Sequence, residues 1–272
     1  MVTAAAIQLL LSDVDGTLVT RDKVLTPRAV LAVRALRARG IHFSLVSARP
    51  ARGMAMFIAP LALTSTLAAF NGGLYVRPDL SIIEEHALPL DAARDALALL
   101  DKNKIEAWVF SGNDWLVRDP KGAHVDHEIH TVDFQPTIVT NFNDAIARAD
   151  KIVGVSDDYD LLERCEREAQ QALAGRANAL RSQSYYLDFT HKDANKGAVV
   201  DCLSRLLSIP TEAIATIGDG LNDIAMFRRS GFSIAMGNGS EEVRGAASVV
   251  TASSEEDGFA KAVERHFLGA LS

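Results

Sequence analysis

The sequence predicts an α/β fold: a doubly wound parallel sheet into which a smaller α+β domain is inserted. Three observations carry this expectation. Apolar runs of strand length at residues 7–11, 41–46 and 213–217 each stop abruptly at polar residues. Helical patterns separate them, and strand–helix–strand connections within one sheet are parallel and right-handed. Between residues 84 and 189 this alternation gives way to short strand-like runs, which places the core in residues 1–83 and 190–272 and the insertion in 84–189.

The composition sets the bounds. A chain of 272 residues with 48% apolar and 23% charged residues supports a sizeable core in one large or two smaller domains. A net charge of −7 argues against a nucleic-acid partner. Cys165 and Cys202 stand at no metal-ligand spacing, which points to reduced thiols and a cytoplasmic location. No stretch approaches the ~18 apolar residues of a membrane span. Residues 4–11 are apolar but too short, and no basic residue precedes them as in a secretory signal. They are read as the first strand, and no membrane partner is expected. Oligomeric state is not readable.

The elements follow in order. Thr26-Pro27 reads as a cap followed by proline at the first helical position. Val30, Val33 and Leu36 supply the buried stripe, and Gly40 closes the helix. The strand at 41–46 ends at Ser47-Ala48-Arg49, and a helix with Met54, Phe57 and Ile58 follows. Asn71-Gly72 between two apolar runs is a hairpin signal. In the insertion, 92–100 and 159–174 read as helices, and 105–110, 115–118, 151–155 and 185–189 as strands. Asn195-Lys196-Gly197 then opens a helix striped by Val199, Val200, Leu203, Leu206 and Leu207. The strand at 213–217 ends in Gly218-Asp219-Gly220 ahead of a helix through Phe227, and further β and α segments run to Phe267.

Ligands bind at the carboxyl ends of strands in open α/β sheets. Three strand ends carry polar groups there: Asp13 with Asp15, Ser47, and Asp219 with Asn222 and Asp223; Lys196 comes from a fourth segment. Taken singly, each has an ordinary explanation. Asp13-Val14-Asp15-Gly16 reads equally as a turn. A calcium loop fails, because its fifth and twelfth positions are Thr17 and Val24. Ser47 can cap a helix, and Asp219 and Asp223 can sit at a helix start, where the dipole favours acids and disfavours Lys196. Jointly, four segments deliver complementary groups to one edge. Two acids on one turn then require a cation, a shared proton or distance.

Asp13-Val14-Asp15-Gly16-Thr17, Ser47, Lys196 and Gly218-Asp219-Gly220-Leu221-Asn222-Asp223 resemble, in order, the four signature motifs of the haloacid dehalogenase superfamily. Asn71-Gly72, Asn195-Lys196-Gly197 and Ile234-Ala235-Met236-Gly237-Asn238 are similar to its Cof-type (class IIB) sugar-phosphatase branch. The resemblance implies a Rossmann-like core with an α/β cap between Ser47 and Lys196. It implies that Asp13 is a nucleophile forming an aspartyl-phosphate. Asp15 would be general acid to the leaving alcohol and then general base for water. The Asp13 carboxylate, the Asp15 backbone carbonyl and Asp219 would hold Mg²⁺, while Ser47, Lys196 and Asn222 bind phosphoryl oxygens. Asp223 would support the metal shell or orient Lys196, with Thr17 in support.

Charge arithmetic asks for the same set. At ~4 Å and an effective dielectric of ~20, two unit charges repel by roughly 4 kcal/mol. A carboxylate approaching a phosphate dianion faces about double that. One divalent ion and one ammonium offset it, and Mg²⁺ suits oxygen ligands where no His or Cys stands near. Departures from the pattern are mild: Ser47-Ala48-Arg49 stands where Thr-Gly-Arg is common, and Gly73 where alanine is frequent. Asp15 is present, and relatives without an acid there are not efficient phosphatases.

The expected function is a Mg²⁺-dependent phosphatase of small phosphorylated metabolites, sugar phosphates first, with pyridoxal phosphate or a flavin precursor as alternatives. A hexose phosphomutase is the runner-up. A binding or regulatory protein on the same scaffold ranks last, because nucleophile, acid and lysine are all present. Trp108, residues 111–114 and Tyr185–Tyr186 are candidate substrate contacts that can equally be core or loop.

Overall fold

The structure is a computed structural model that describes residues 7–269. The start of the expected first strand, residues 4–6, lies outside the described residues, as do the outer ends of the expected core segments.

β1 (Leu9–Asp13) is buried along its whole length. α1 (Pro27–Ala38) starts as its sequence requires, with the Thr26 side chain accepting from the Ala29 N–H and Pro27 in the first turn. β2 (His42–Val46) follows, then a 3₁₀ turn over Ala51–Phe57 and α2 (Ile58–Leu61). β3 (Leu67–Ala69), β4 (Leu74–Val76) and β5 (Ile82–Glu85) complete this part. The chain then forms α3 (Leu90–Lys102), β6 (Glu106–Ser111), β7 (Asp114–Val117), α4 (Val125–Val132) and β8 (Thr137–Ile138). β9 (Lys151–Val155), α5 (Tyr159–Ala172), β10 (Ala177–Gln183) and β11 (Tyr186–His191) close the insertion. It returns through α6 (Lys196–Leu207), β12 (Ile214–Gly218), α7 (Ile224–Phe227), β13 (Phe232–Ala235), α8 (Glu241–Ala246), β14 (Val249–Val250) and α9 (Gly258–His266).

Two sheets result. The first runs β14-β13-β12-β1-β2-β3-β4-β5. It is parallel from β14 to β3. β4 and β5 turn back antiparallel, so this sheet is mixed rather than wholly parallel. The reversal is made at Asn71-Gly72, whose φ angles of 57° and 101° suit Asn and Gly. Alternation along β1 feeds two cores. Leu10 joins Val33 and Phe259 of α1 and α9, while Leu9 and Leu11 join Val199 and Leu203 of α6. That is the doubly wound arrangement, and it leaves the carboxyl ends of β1, β2 and β12 free to carry side chains.

The second sheet runs β10-β11-β9-β6-β7-β8, antiparallel except for β7 with β8. One face, with Val109, Ile152, Leu187 and Phe189, packs on α3 and α5. From the other, Trp108, Phe110, Val153 and Val155 join the core that contains β1 and α1. Phe110 meets Phe70 of the first part at 5.7 Å between ring centroids. The chain crosses between the sheets at residues 86–89 and 192–195, because β5 extends to Glu85 and β11 to His191. Among the described residues no helix is long and apolar enough to cross a membrane.

Candidate active site

Asp13 is the last residue of β1 and is 6% exposed. The turn behind it holds Gly16 at φ +77°, and a Cβ at that position would lie 2.3 Å from Asp219 Oδ2. Only glycine permits both the backbone and the approach. β12 ends in a loop organised by Asp223, whose Oδ2 accepts from the N–H groups of Asp219 and Gly220, each at 2.8 Å. Its Oδ1 accepts from Lys196 Nζ at 2.6 Å, and the same ammonium donates to Asp13 Oδ1 at 2.6 Å. Lys196 opens α6 after Asn195, whose side chain caps the helix by accepting from Ala198 N–H. A cation at a helix start is unfavourable; here two carboxylates outweigh that.

Asp219 is fixed from two sides. Thr17 Oγ1 donates to its Oδ1 at 3.2 Å and Asn238 Nδ2 to its Oδ2 at 2.9 Å. Asp13, Asp219 and Asp223 each bring an oxygen within 4.8 Å of the others. Burial pushes the Asp13 carboxyl up, Lys196 pulls it down, and Asp223 and Asp219 push it up again, leaving it at about 8. Burial and Asp223 likewise raise Asp219, to about 6. Burial alone would lower Lys196, but Asp13 and Asp223 hold it protonated. Two carboxylates thus share one ammonium with a third carboxylate beside them. Fully ionised, the cluster is two positive charges short, and its oxygen-only donors fit a hard divalent cation. Asp223 is fully buried behind the cavity, with Oδ2 on two backbone N–H groups and Oδ1 on Lys196, whereas Asp13 and Asp219 line the cavity and are the carboxylates placed to face an ion.

Asp15 turns away from this cluster. Arg49 grips it with Nε on Oδ2 at 2.8 Å and Nη2 on Oδ1 at 2.7 Å, and Lys23 Nζ adds a 2.7 Å contact to Oδ1. Burial would raise this carboxyl, but Arg49 and then Lys23 outweigh it and hold it at about 2. Arg49 also donates to the Thr131 carbonyl of α4 at 2.6 Å, which ties the inserted segment to the carboxyl edge of the first sheet. Ser47 is not the cap of the following turn, whose N-cap is Pro50. Its hydroxyl oxygen accepts from Arg49 N–H at 3.1 Å, which leaves its proton to donate into the cavity.

A cavity of about 740 Å³ gathers these groups. Asp13, Asp15, Ser47, Lys196, Asp219 and Asn222 all line it; Asp223 and Thr17 lie behind. Asn222 is exposed at the rim and reaches Asn71 at 3.4 Å. Of the expected contacts from the insertion, Tyr185 and Tyr186 line the cavity. Trp108 does not: it is 1% exposed, packed between Trp115 and Tyr186. Residues 111–114 form the turn between β6 and β7, away from the lining. The sequence reading missed Arg49 and Lys23 as partners of Asp15, and Asn238 as the clamp on Asp219. Arg49 stands two residues from Ser47, and Asn238 in a run already singled out; position alone did not reveal their partners.

The chain matches the family model of haloacid dehalogenase-like hydrolases over residues 10–263. It is 29% identical over 262 residues to a putative phosphatase of Haemophilus influenzae, covering 94% of this chain and 97% of the relative. It is 25% identical to a 5-amino-6-(5-phospho-D-ribitylamino)uracil phosphatase of Bacillus subtilis, covering 95% and 97%. A haloacid dehalogenase-like hydrolase of Bacteroides thetaiotaomicron has the same fold, with a TM-score of 0.88 at 26% identity over 95% of this chain and 99% of that one. The chain belongs to the haloacid dehalogenase-like hydrolases, in their Cof-type branch, and is a phosphoric monoester hydrolase.

Proposed function

We propose that this hydrolase is a Mg²⁺-dependent phosphatase of small phosphorylated metabolites, sugar phosphates first, acting through an aspartyl-phosphate on Asp13. The observation that carries the reading is the sharing of Lys196 by Asp13 and Asp223 beside Asp219, a cluster two positive charges short of balance. A relative that hydrolyses a phosphoribityl compound supports a small, polar leaving group.

The residues divide the work. Asp13 attacks phosphorus and the ester oxygen leaves with its alcohol. Lys196 keeps Asp13 within reach of the phosphoryl group and has a third N–H for a phosphoryl oxygen, joined by the Ser47 hydroxyl and the Asn222 amide. Asp223 positions Lys196 and the loop bearing Asp219. Asp13, the Asp15 backbone carbonyl and Asp219 would hold the metal, with Thr17 steadying Asp219. When bound, Mg²⁺ supplies charge that offsets repulsion between nucleophile and phosphate.

Asp15 serves twice. Its ionised state, held by Arg49 and Lys23, suits the second step, where it takes a proton from the attacking water. The first step needs a proton on it. An incoming dianion competes for the same two cations, and drawing them off raises the proton affinity of Asp15 when an acid is required. Residues 84–189 act as a cap that covers the cavity, excludes bulk water and restricts substrates to small molecules.

The test is a phosphate-release screen over sugar, nucleotide and vitamin phosphates, with and without Mg²⁺. Metal-dependent release, fastest from sugar phosphates, is expected. No release from any ester at saturating Mg²⁺ would overturn the reading, and an isomerised sugar that keeps its phosphate would mark a mutase.

A further inference from the structure

The second sheet turns one face towards the first part of the chain, and that face is apolar over most of its area. Trp108, Phe110, Trp115, Val153 and Val155 are all buried on it. It becomes polar where it lines the cavity. Along β11 the side chains alternate: Leu187 and Phe189 go to the α3–α5 side, while Tyr186, Asp188 and Thr190 line the cavity. Lys151 of β9 stands opposite Thr190 and forms an ion pair with Asp188, its Nζ 2.6 Å from Oδ2. α4 brings Glu128 to the same cavity, and the Tyr186 hydroxyl donates to its Oε2 at 3.3 Å.

Structure alone gives this cluster little reason to exist. Lys151 and Asp188 are each only 8% exposed. Apolar residues like their neighbours would serve stability at least as well as a buried ion pair. Asp188 Oδ1, moreover, has no hydrogen-bond partner among the described residues, a costly state for a buried acceptor. Burial raises the Glu128 carboxyl, against the pull of Lys151 and with a smaller push from Asp188.

We infer that Asp188, Lys151 and Glu128 form a specificity-determining subsite for the alcohol half of the substrate, and that it selects the phosphate ester of a neutral polyol. This rests on the phosphatase reading for the reaction and adds what the leaving group must be. A hydroxyl is the group that can donate to Asp188 and accept from Lys151 at once. A second anionic group meets two carboxylates and an ammonium already paired. The other cations of the lining serve elsewhere: Lys23, Arg49 and Lys196 stand beside Asp15 and Asp13, where the transferred phosphoryl group takes them up, and Arg181 pairs with Glu166. A flat ring offering only acceptors would leave Asp188 without a donor.

The test compares D-sorbitol 6-phosphate, fructose 1,6-bisphosphate and p-nitrophenyl phosphate. Asp188→Asn is expected to lose about 10- to 100-fold in kcat/KM on sorbitol 6-phosphate, the scale of a charged hydrogen bond. On p-nitrophenyl phosphate, which has no hydroxyls, it stays within about threefold. Glu128→Gln, on the half-buried helix, repeats the selectivity in a variant whose folding is less at risk. Equal losses on the two esters, or none on either, overturn the subsite; a wild-type preference for the bisphosphate overturns the polyol class. Calorimetric affinity for sorbitol 6-phosphate in Asp13→Asn, with and without Asp188→Asn, separates the two readings. Asp188-dependent binding without turnover of any ester by wild type supports the subsite and overturns the phosphatase reading. Binding that ignores Asp188 overturns the subsite.

Discussion

At the carboxyl edge of the first sheet, Asp13 and Asp223 share the ammonium of Lys196, and Asp219 crowds in beside them. Across the same cavity, on the second sheet, Asp188 holds the ammonium of Lys151 alone, with the Glu128 carboxyl pushed up by burial beside them. Both lysines are buried and both contacts measure 2.6 Å, yet the two regions ask for different partners. On the proposed reading, the first takes a divalent ion and then a phosphate, and the second, with its one ion pair and an unpartnered Asp188 Oδ1, takes a neutral group that donates and accepts. Recognition of the reacting group and of the leaving group would then be separated by charge.

The largest expected effect falls on the first region alone. Removing divalent metal with a chelator should abolish phosphate release, by at least about 10³-fold given the repulsion it uncovers, while the structure around Lys151 stays intact. Restoration by Mg²⁺ with a rise in melting temperature would accompany it; at a concentration 100 times Kd the gain is about 2.7 kcal/mol. Phosphate release unaffected by chelation would break the contrast.

Replacing each lysine measures how far the regions differ in stability. Lys196→Met leaves Asp13 and Asp223 buried without their cation, and denaturant titration should show a loss of about 3–5 kcal/mol in the metal-free protein. Lys151→Met leaves only Asp188 without its cation, so a smaller loss, about 1–3 kcal/mol, is expected. Equal losses would mean that the two clusters do the same structural work.

Gly16→Ala should cost about 1–3 kcal/mol, because the residue sits at φ +77° and its Cβ would press on Asp219. Metal affinity should fall with it, and a variant as stable and as metal-responsive as wild type would contradict the close packing of the two loops.

The same crowding is read by pH dependence. Asp13 and Asp219 have carboxyls raised in the folded state to about 8 and about 6. Between pH ~4 and ~8 the metal-free folded chain therefore binds more protons than the unfolded chain, and stability falls as pH rises. Asp15, lowered to about 2, acts oppositely: its stabilisation is present above pH ~4 and is lost as pH falls towards 2. Melting temperatures of the metal-free protein should therefore peak near pH 4–5 and decline to pH 8, and saturating Mg²⁺ should flatten the decline. A metal-free curve rising to pH 8 would contradict the crowding.

The two regions also differ in how far the sequence revealed them. The catalytic edge is carried on strand ends, where an apolar run stops at Asp13, Ser47 or Gly218-Asp219, and topology then brings those ends together. Its helix starts and hairpin were equally readable from Thr26-Pro27, Asn195 and Asn71-Gly72. The polar face of the second sheet has no such punctuation. Asp188 lies inside Tyr186–His191 as one polar residue in an alternating strand, indistinguishable from a solvent-facing position until the sheet is placed over the cavity. α4, which supplies Glu128 and the Thr131 carbonyl, was not anticipated: it spans eight residues and only Val125, Ile129 and Val132 mark its apolar side. The grip of Arg49 on Asp15 depends on a side-chain direction that no spacing encodes.

The central claim is that Asp13 attacks phosphorus, and it is tested most directly by phosphate release from Asp13→Asn, with melting temperature as the folding control. The amide removes the nucleophile and one of three crowded carboxylates, so turnover should drop by about 10⁴-fold or more while the melting temperature holds or rises. A folded Asp13→Asn enzyme that still releases phosphate near the wild-type rate would contradict the account.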